Sequence, residues 1–96
     1  MEAFDPQERI IQLSTANMYF VFSLNGNWLT ISGATVADES LVSYEIVPVL
    51  EPQPGMPPNG LLLIGTPTDA PMESTVTVSF AETSDTVTLR VETPVK

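Results

Sequence analysis

Carboxylates are the side chains this chain carries in number that are able to do chemistry. It has 12 Asp and Glu against 3 Lys and Arg, with no His and no Cys. Two uses of such residues have recognisable spacing. A Ca²⁺ site gathers roughly six to eight oxygens, several from carboxylates held close together. Glycoside hydrolysis needs a facing carboxylate pair in a cleft. Here only Asp38 and Glu39 are adjacent, and nothing like Asp-x-Asp-x-Asp-Gly occurs. The remainder, such as Glu45, Glu51, Asp69 and Glu82, stand alone along the chain. Solvated surface charge is the expected role, with no catalytic residues, no metal and no cofactor. Without imidazole or thiol, a Ser-His-Asp or Cys-His relay has no base, and a zinc site would be unusual. Phosphate binding draws on Lys and Arg, and only Arg9, Arg90 and Lys96 are present. Nucleic acid is therefore a poor partner at net charge −9. The function is expected to be non-enzymatic.

The elements that would position any working surface follow from the hydrophobic pattern. At 96 residues there is room for one core. With 43% hydrophobic and 16% charged residues, the chain is too apolar to be a disordered acidic segment. Residues 1–15 read as an N-terminal arm. Asp5-Pro6-Gln7-Glu8 resembles a capped helix start, with Ile10, Ile11 and Leu13 as its apolar stripe. The two β-branched isoleucines suit an extended arm as well, so a short helix and an extended segment both stand. No apolar run approaches the ~20 residues of a spanning helix. The opening Met1-Glu2-Ala3-Phe4-Asp5-Pro6 lacks the basic and apolar regions of a signal peptide, so none is expected.

Residues 16–96 read as one β domain. An apolar, aromatic strand at 17–24 leads into Asn25-Gly26, a strong hairpin signal, and residues 28–32 return as its partner. Residues 33–40 look like a turn. Pro48 cannot donate to a ladder, so the strand around residues 43–50 is expected at an edge, ending or bulging there. Residues 51–60 hold four prolines and read as a stiff loop. Leu61 to Ile64 would be a buried strand. Val76, Val78 and Phe80, then Val87, Leu89 and Val91, alternate with Thr, Ser and Arg. That period of two predicts an antiparallel hairpin with one buried face. The fold expected is all-β, an antiparallel β-sandwich of six or seven short strands.

Several of these residues follow a known order. Pro58-Asn59-Gly60-Leu61, then Gly65-Thr66-Pro67-Thr68, then the Thr/Val strands at 74–80 and 86–91 resemble the C-terminal half of bacterial and phage putative-Ig, cadherin-like repeats. The resemblance covers roughly residues 57–92. It implies an Ig-like sandwich. It also implies a setting, because tailed bacteriophages commonly carry Ig-like modules on their particles.

Candidate contact residues come from apolar groups in exposed contexts. Met56, Pro57 and Pro58 form an apolar tip on the stiff loop, where proline has already removed conformational freedom. Phe4, Ile10 and Ile11 give the arm an apolar character suited to covering a sheet edge or reaching a partner. Trp28, just past the hairpin turn, is expected to pack on its own sheet. Sheet edges are commonly guarded by Lys, yet the one lysine is Lys96. The edges must then be covered by the arm and loop, or paired with another subunit.

The expectation is a structural protein acting by protein–protein contact. The best candidate is an accessory virion protein of a tailed bacteriophage, either a capsid decoration (cement) protein or a tail component. It would be made in the host cytoplasm and bound to coat or tail proteins or to itself, with no membrane partner. The alternative is an extracellular adhesion or carbohydrate-binding Ig-like module. An acidic nucleic-acid mimic would need its charges clustered, and they are spread.

Overall fold

The computed structural model describes residues 10–51 and 53–96. Nine strands run through them: β1 (Ile10–Gln12), β2 (Met18–Phe20), β3 (Ser23–Leu24), β4 (Asn27–Trp28), β5 (Ile31–Val36), β6 (Val42–Pro48), β7 (Asn59–Gly65), β8 (Glu73–Phe80) and β9 (Thr86–Glu92). No helix occurs among the described residues. Seven of these strands form two sheets, ordered β1-β9-β8-β5 and β2-β7-β6, and β3 with β4 makes a small separate hairpin. All pairings are antiparallel except β1 with β9. The two larger sheets enclose the core between them. The fold is an all-β sandwich, as its alternating strands require.

The β8–β9 hairpin forms in the expected register. Val76 pairs with Leu89 and Val78 with Val87, so their side chains share the inner face. Val76, Val78, Val87, Leu89 and Val91 are all fully buried. Leu61 and Leu63 of β7 oppose them from the other sheet, also fully buried. Phe22 packs edge-on against Phe80, with ring centroids 5.3 Å apart. Leu13, Leu29 and Leu41 close the core from the connecting segments.

Two expectations are corrected, and one left open is settled in part. Residues 17–32 do not form one long hairpin. Asn25 and Gly26 do make the left-handed turn, at φ 53° and 80°, but the ladder holds only Ser23–Trp28 and Leu24–Asn27. Beyond Leu29, whose N–H donates to Phe22 O at 3.0 Å, the arms separate. β2 joins β7 and β5 joins β8, because each has an apolar face to bury in a different sheet. Residues 33–36 continue β5 and are not a turn; the turn is confined to residues 37–41. Of the arm's two readings, extended structure applies at Ile10–Gln12, whereas residues 1–9 lie outside the described residues. Pro48 behaves as expected: it ends β6, which is an edge strand.

Gly65 is the point where separate stretches of chain converge. It pairs with Val42, its N–H donates to Ser14 O at 3.1 Å, and Thr66 N–H donates to Leu41 O at 2.9 Å. A Cβ at Gly65 would lie 2.6 Å from Pro94 Cδ and 2.8 Å from Leu13 Cβ. Neither atom is the free end of a flexible side chain, so a methyl group cannot be accommodated cheaply. Nearby, the Thr68 hydroxyl donates to Ala70 O at 2.6 Å and accepts from Thr93 Oγ1, which itself accepts the Met72 N–H at 2.9 Å. This relay fastens the C-terminal segment to the loop before β8. Gly65→Ala is expected to lower stability by about 1–3 kcal/mol through overpacking. Gly33→Ala, where nothing lies within 4 Å, should stay within about 0.5 kcal/mol. Urea midpoints of the two variants check the difference.

Candidate functional site

The chain crosses from one sheet to the other at residues 28–31, and three residues there are tied to three distant segments. The Trp28 indole N–H donates to Gly55 O at 2.8 Å. Thr30 donates twice to the Glu82 carboxylate, from its amide at 2.8 Å and its hydroxyl at 2.7 Å. Ile31 N–H donates to Asn59 Oδ1, and Ile31 O accepts from Asn59 Nδ2, both at 3.0 Å. The cause is local. Ile31 begins an edge strand that pairs on one side with Phe80, so the backbone groups on its other side need a partner. The primary amide of Asn59 offers one donor and one acceptor, and so serves as a short piece of neighbouring strand.

These ties fix the proline-rich loop at its tip and its base. Val49 N–H donates to Pro58 O at 3.0 Å, and Met56 N–H donates to Gln53 O at 3.0 Å. The chain leaves β6 through Glu51 in the left-handed region, φ 52°. The loop then projects Leu50, 85% exposed, and Met56, 46% exposed, while Pro57 and Pro58 are half-buried. Trp28 is half-buried, in keeping with a side chain that packs on its own domain and braces the loop.

Of the candidate contact residues, Met56, Pro57 and Pro58 stand together on this loop. Ile10 and Ile11 lie elsewhere, paired in register with Arg90 and Val91 on β9. Ile10 is 40% exposed, whereas Ile11 packs against the core. Phe4 lies outside the described residues. The structure therefore presents two separate apolar places and does not join them. Leu50 was not anticipated. Its sequence signal was its position just after Pro48, where the ladder ends and an apolar side chain loses its sheet.

Two of the carboxylates, Asp38 and Glu82, act as local braces. Asp38 accepts from the Ser40 hydroxyl at 2.6 Å and amide at 2.9 Å, which lowers its carboxyl below the usual range, the hydroxyl contributing most. Glu82 is lowered likewise, first by the Thr30 hydroxyl and then by the Thr30 amide. General acids working near neutrality need the opposite shift. Among the described residues, no three acidic, His or Cys side chains are grouped so as to hold a metal ion. A groove of about 170 Å³ lined by Val36, Glu39, Val42, Ser43 and Tyr44 lies where β5 and β6 diverge. Small-molecule pockets run to roughly 300–1,000 Å³, so this groove suits a single side chain.

Two tests follow from the ties. Asn59→Leu leaves the Ile31 N–H and C=O unpaired and should cost about 1–3 kcal/mol in urea unfolding. Glu82 is depressed in the folded state, so its contribution is complete above the unfolded value of about 4.3 and is lost as pH falls through the lower folded value. The thermal midpoint of Glu82→Gln should lie below that of the parent chain at neutral pH, with the gap closing in acid. A gap independent of pH would remove the carboxylate from the bracing role. Comparison with protein-family models, with curated proteins and with solved structures finds no match for this chain.

Proposed function

We propose that this protein is a non-enzymatic structural component that works by binding other proteins within a larger assembly. The observation that carries the proposal is the braced loop. Leu50 and Met56 are held in solvent on a loop whose tip is bonded to Trp28 and whose base is closed by Val49 and Pro58. An apolar group pre-set in this way loses little freedom on binding. Among the described residues nothing covers Leu50 or Met56, and a neighbour's pocket would.

The most concrete form of the proposal is an accessory virion protein of a tailed bacteriophage, a capsid decoration or tail component bound to coat or tail subunits. This rests on the Gly65-Thr66-Pro67-Thr68 resemblance and on the small sandwich fold. Each contact would bury about 1,200–2,000 Å² if stable alone, and repetition on a symmetric shell would permit less. Trp28 is half-buried, which leaves less of its ring face for a sugar than the adhesion or carbohydrate-binding alternative would use.

The test is particle association. The chain is expected to sediment with particles, and Leu50→Ser combined with Met56→Ser should reduce occupancy by about tenfold or more while leaving the thermal midpoint within a few degrees. A free monomer that never accompanies particles would overturn the virion reading. Full occupancy by the double variant would overturn the loop's role.

A further inference from the structure

β6 is an edge strand, and its hydrogen-bonding phase can be read from its two ends. Leu41 O accepts from Thr66 N–H, and Val49 N–H donates to Pro58 O. Backbone direction alternates along a strand, so odd-numbered residues of this stretch face β7 and even-numbered ones face away. Val42 N–H is taken by Asp38 O at 3.3 Å, and Pro48 has no N–H. Pro48 thus stands where its missing donor would have pointed outward, the one place an edge strand tolerates it. Between these two stops, the amides and carbonyls of Tyr44 and Ile46 have no strand partner among the described residues.

The side chains set what can pair there. Tyr44 pairs with Leu63 and Ile46 with Leu61, on the inner face; Glu45 pairs with Leu62, on the outer face. Tyr44 is nevertheless 41% exposed, bordering the groove between β5 and β6. A strand added beside residues 44–46 would turn apolar side chains towards that groove and one side chain outward against Glu45. Glu39 stands at the groove's end. Arg90 and Lys96 are engaged elsewhere, with Glu73 at 3.3 Å and Asp69 at 3.7 Å.

We infer that the free edge of β6 is a docking site for an extended segment of a partner protein with an apolar–basic–apolar pattern, which pairs with Tyr44 and Ile46 and sets Lys or Arg opposite Glu45. Charge selects this occupant over a second copy. A two-fold pairing of β6 with itself that uses both open residues places Tyr44 against Ile46 and Glu45 against Glu45, and like charges directly opposite are destabilising. Every acidic group bordering the edge favours a cation instead. The site is separate from the Leu50–Met56 loop and does not depend on that contact.

The probe is a short end-blocked peptide of alternating Val and Lys, added to the full chain while amide hydrogen exchange is followed by NMR. Exchange at Tyr44 and Ile46 should slow by about tenfold or more at saturation, with Ser43, Glu45 and Val47, already paired, unchanged. Replacing Lys by Glu in the peptide should weaken binding by up to about tenfold, and Glu45→Lys should reverse that preference. Tyr44→Pro removes an outward donor without touching the β7 ladder. It should abolish binding while the amides of β8 and β9 stay protected. Leu50→Ser with Met56→Ser should bind the peptide normally. No protection at Tyr44 and Ile46, or equal binding of the Lys and Glu peptides, would overturn the inference. So would protection that grows with protein concentration in the absence of peptide, which would assign the edge to a second copy.

Discussion

The side chain of Asn59 does for Ile31 what a neighbouring strand would do, and much of the molecule's working end depends on it. A sandwich needs its chain to leave one sheet and enter the other. At the crossing, the backbone has left the first ladder and has only one side in the second. Unpaired backbone groups at such a place cost free energy comparable to a lost hydrogen bond. Asn59 meets both groups of Ile31 from the first residue of β7. The crossing segment then becomes a rigid rail on which Trp28 and Thr30 hold the proline-rich loop and the β8–β9 turn.

Rigidity at that end has a consequence for binding. A loop with Pro54, Pro57 and Pro58 is already stiff, but stiffness without anchorage would let it swing as a unit. The Trp28–Gly55 bond removes the swing. In the function proposed, the exposed Leu50 and Met56 would meet a partner from a fixed position, which is the condition under which a small apolar contact yields useful affinity. Glu82 contributes to the same end by bracing Thr30.

Local signals were legible in the sequence to the extent that they were local. The alternation through residues 75–91 identified both the hairpin and its buried face, because one period of two settles both. Asn25-Gly26 identified a turn, and Pro48 an edge. The partners of β2 and β5 were not legible. A turn brings two residues together but does not oblige the flanking strands to stay paired, and the apolar faces of β2 and β5 drew them into different sheets. Gly33 likewise read as the start of a turn, yet β5 passes through it with a register shift between Ile31 and Gly33. The candidate site was half legible. Met56 to Pro58 declared themselves by composition. The ties that fix them join residues 27, 52 and 28 positions apart, and a side chain bonded to distant backbone leaves no periodic trace.

The shortage of lysine sharpens once the edges are known individually. β1 covers part of β9, Asn59 covers the start of β5, and the turn at Asp38 and Pro48 bracket β6. Each device blocks pairing by occupying or deleting a backbone group, whereas lysine would guard by charge. Glu45 is then the one charge placed within the open stretch of β6. An acidic guard repels other copies of an acidic chain as effectively as lysine would repel copies of a basic one. Unlike a deleted donor, it does not repel every strand. A chain at net charge −9 that sets a carboxylate in the open stretch of β6 disfavours pairing with its own copies there, while the same charge would favour a cationic segment.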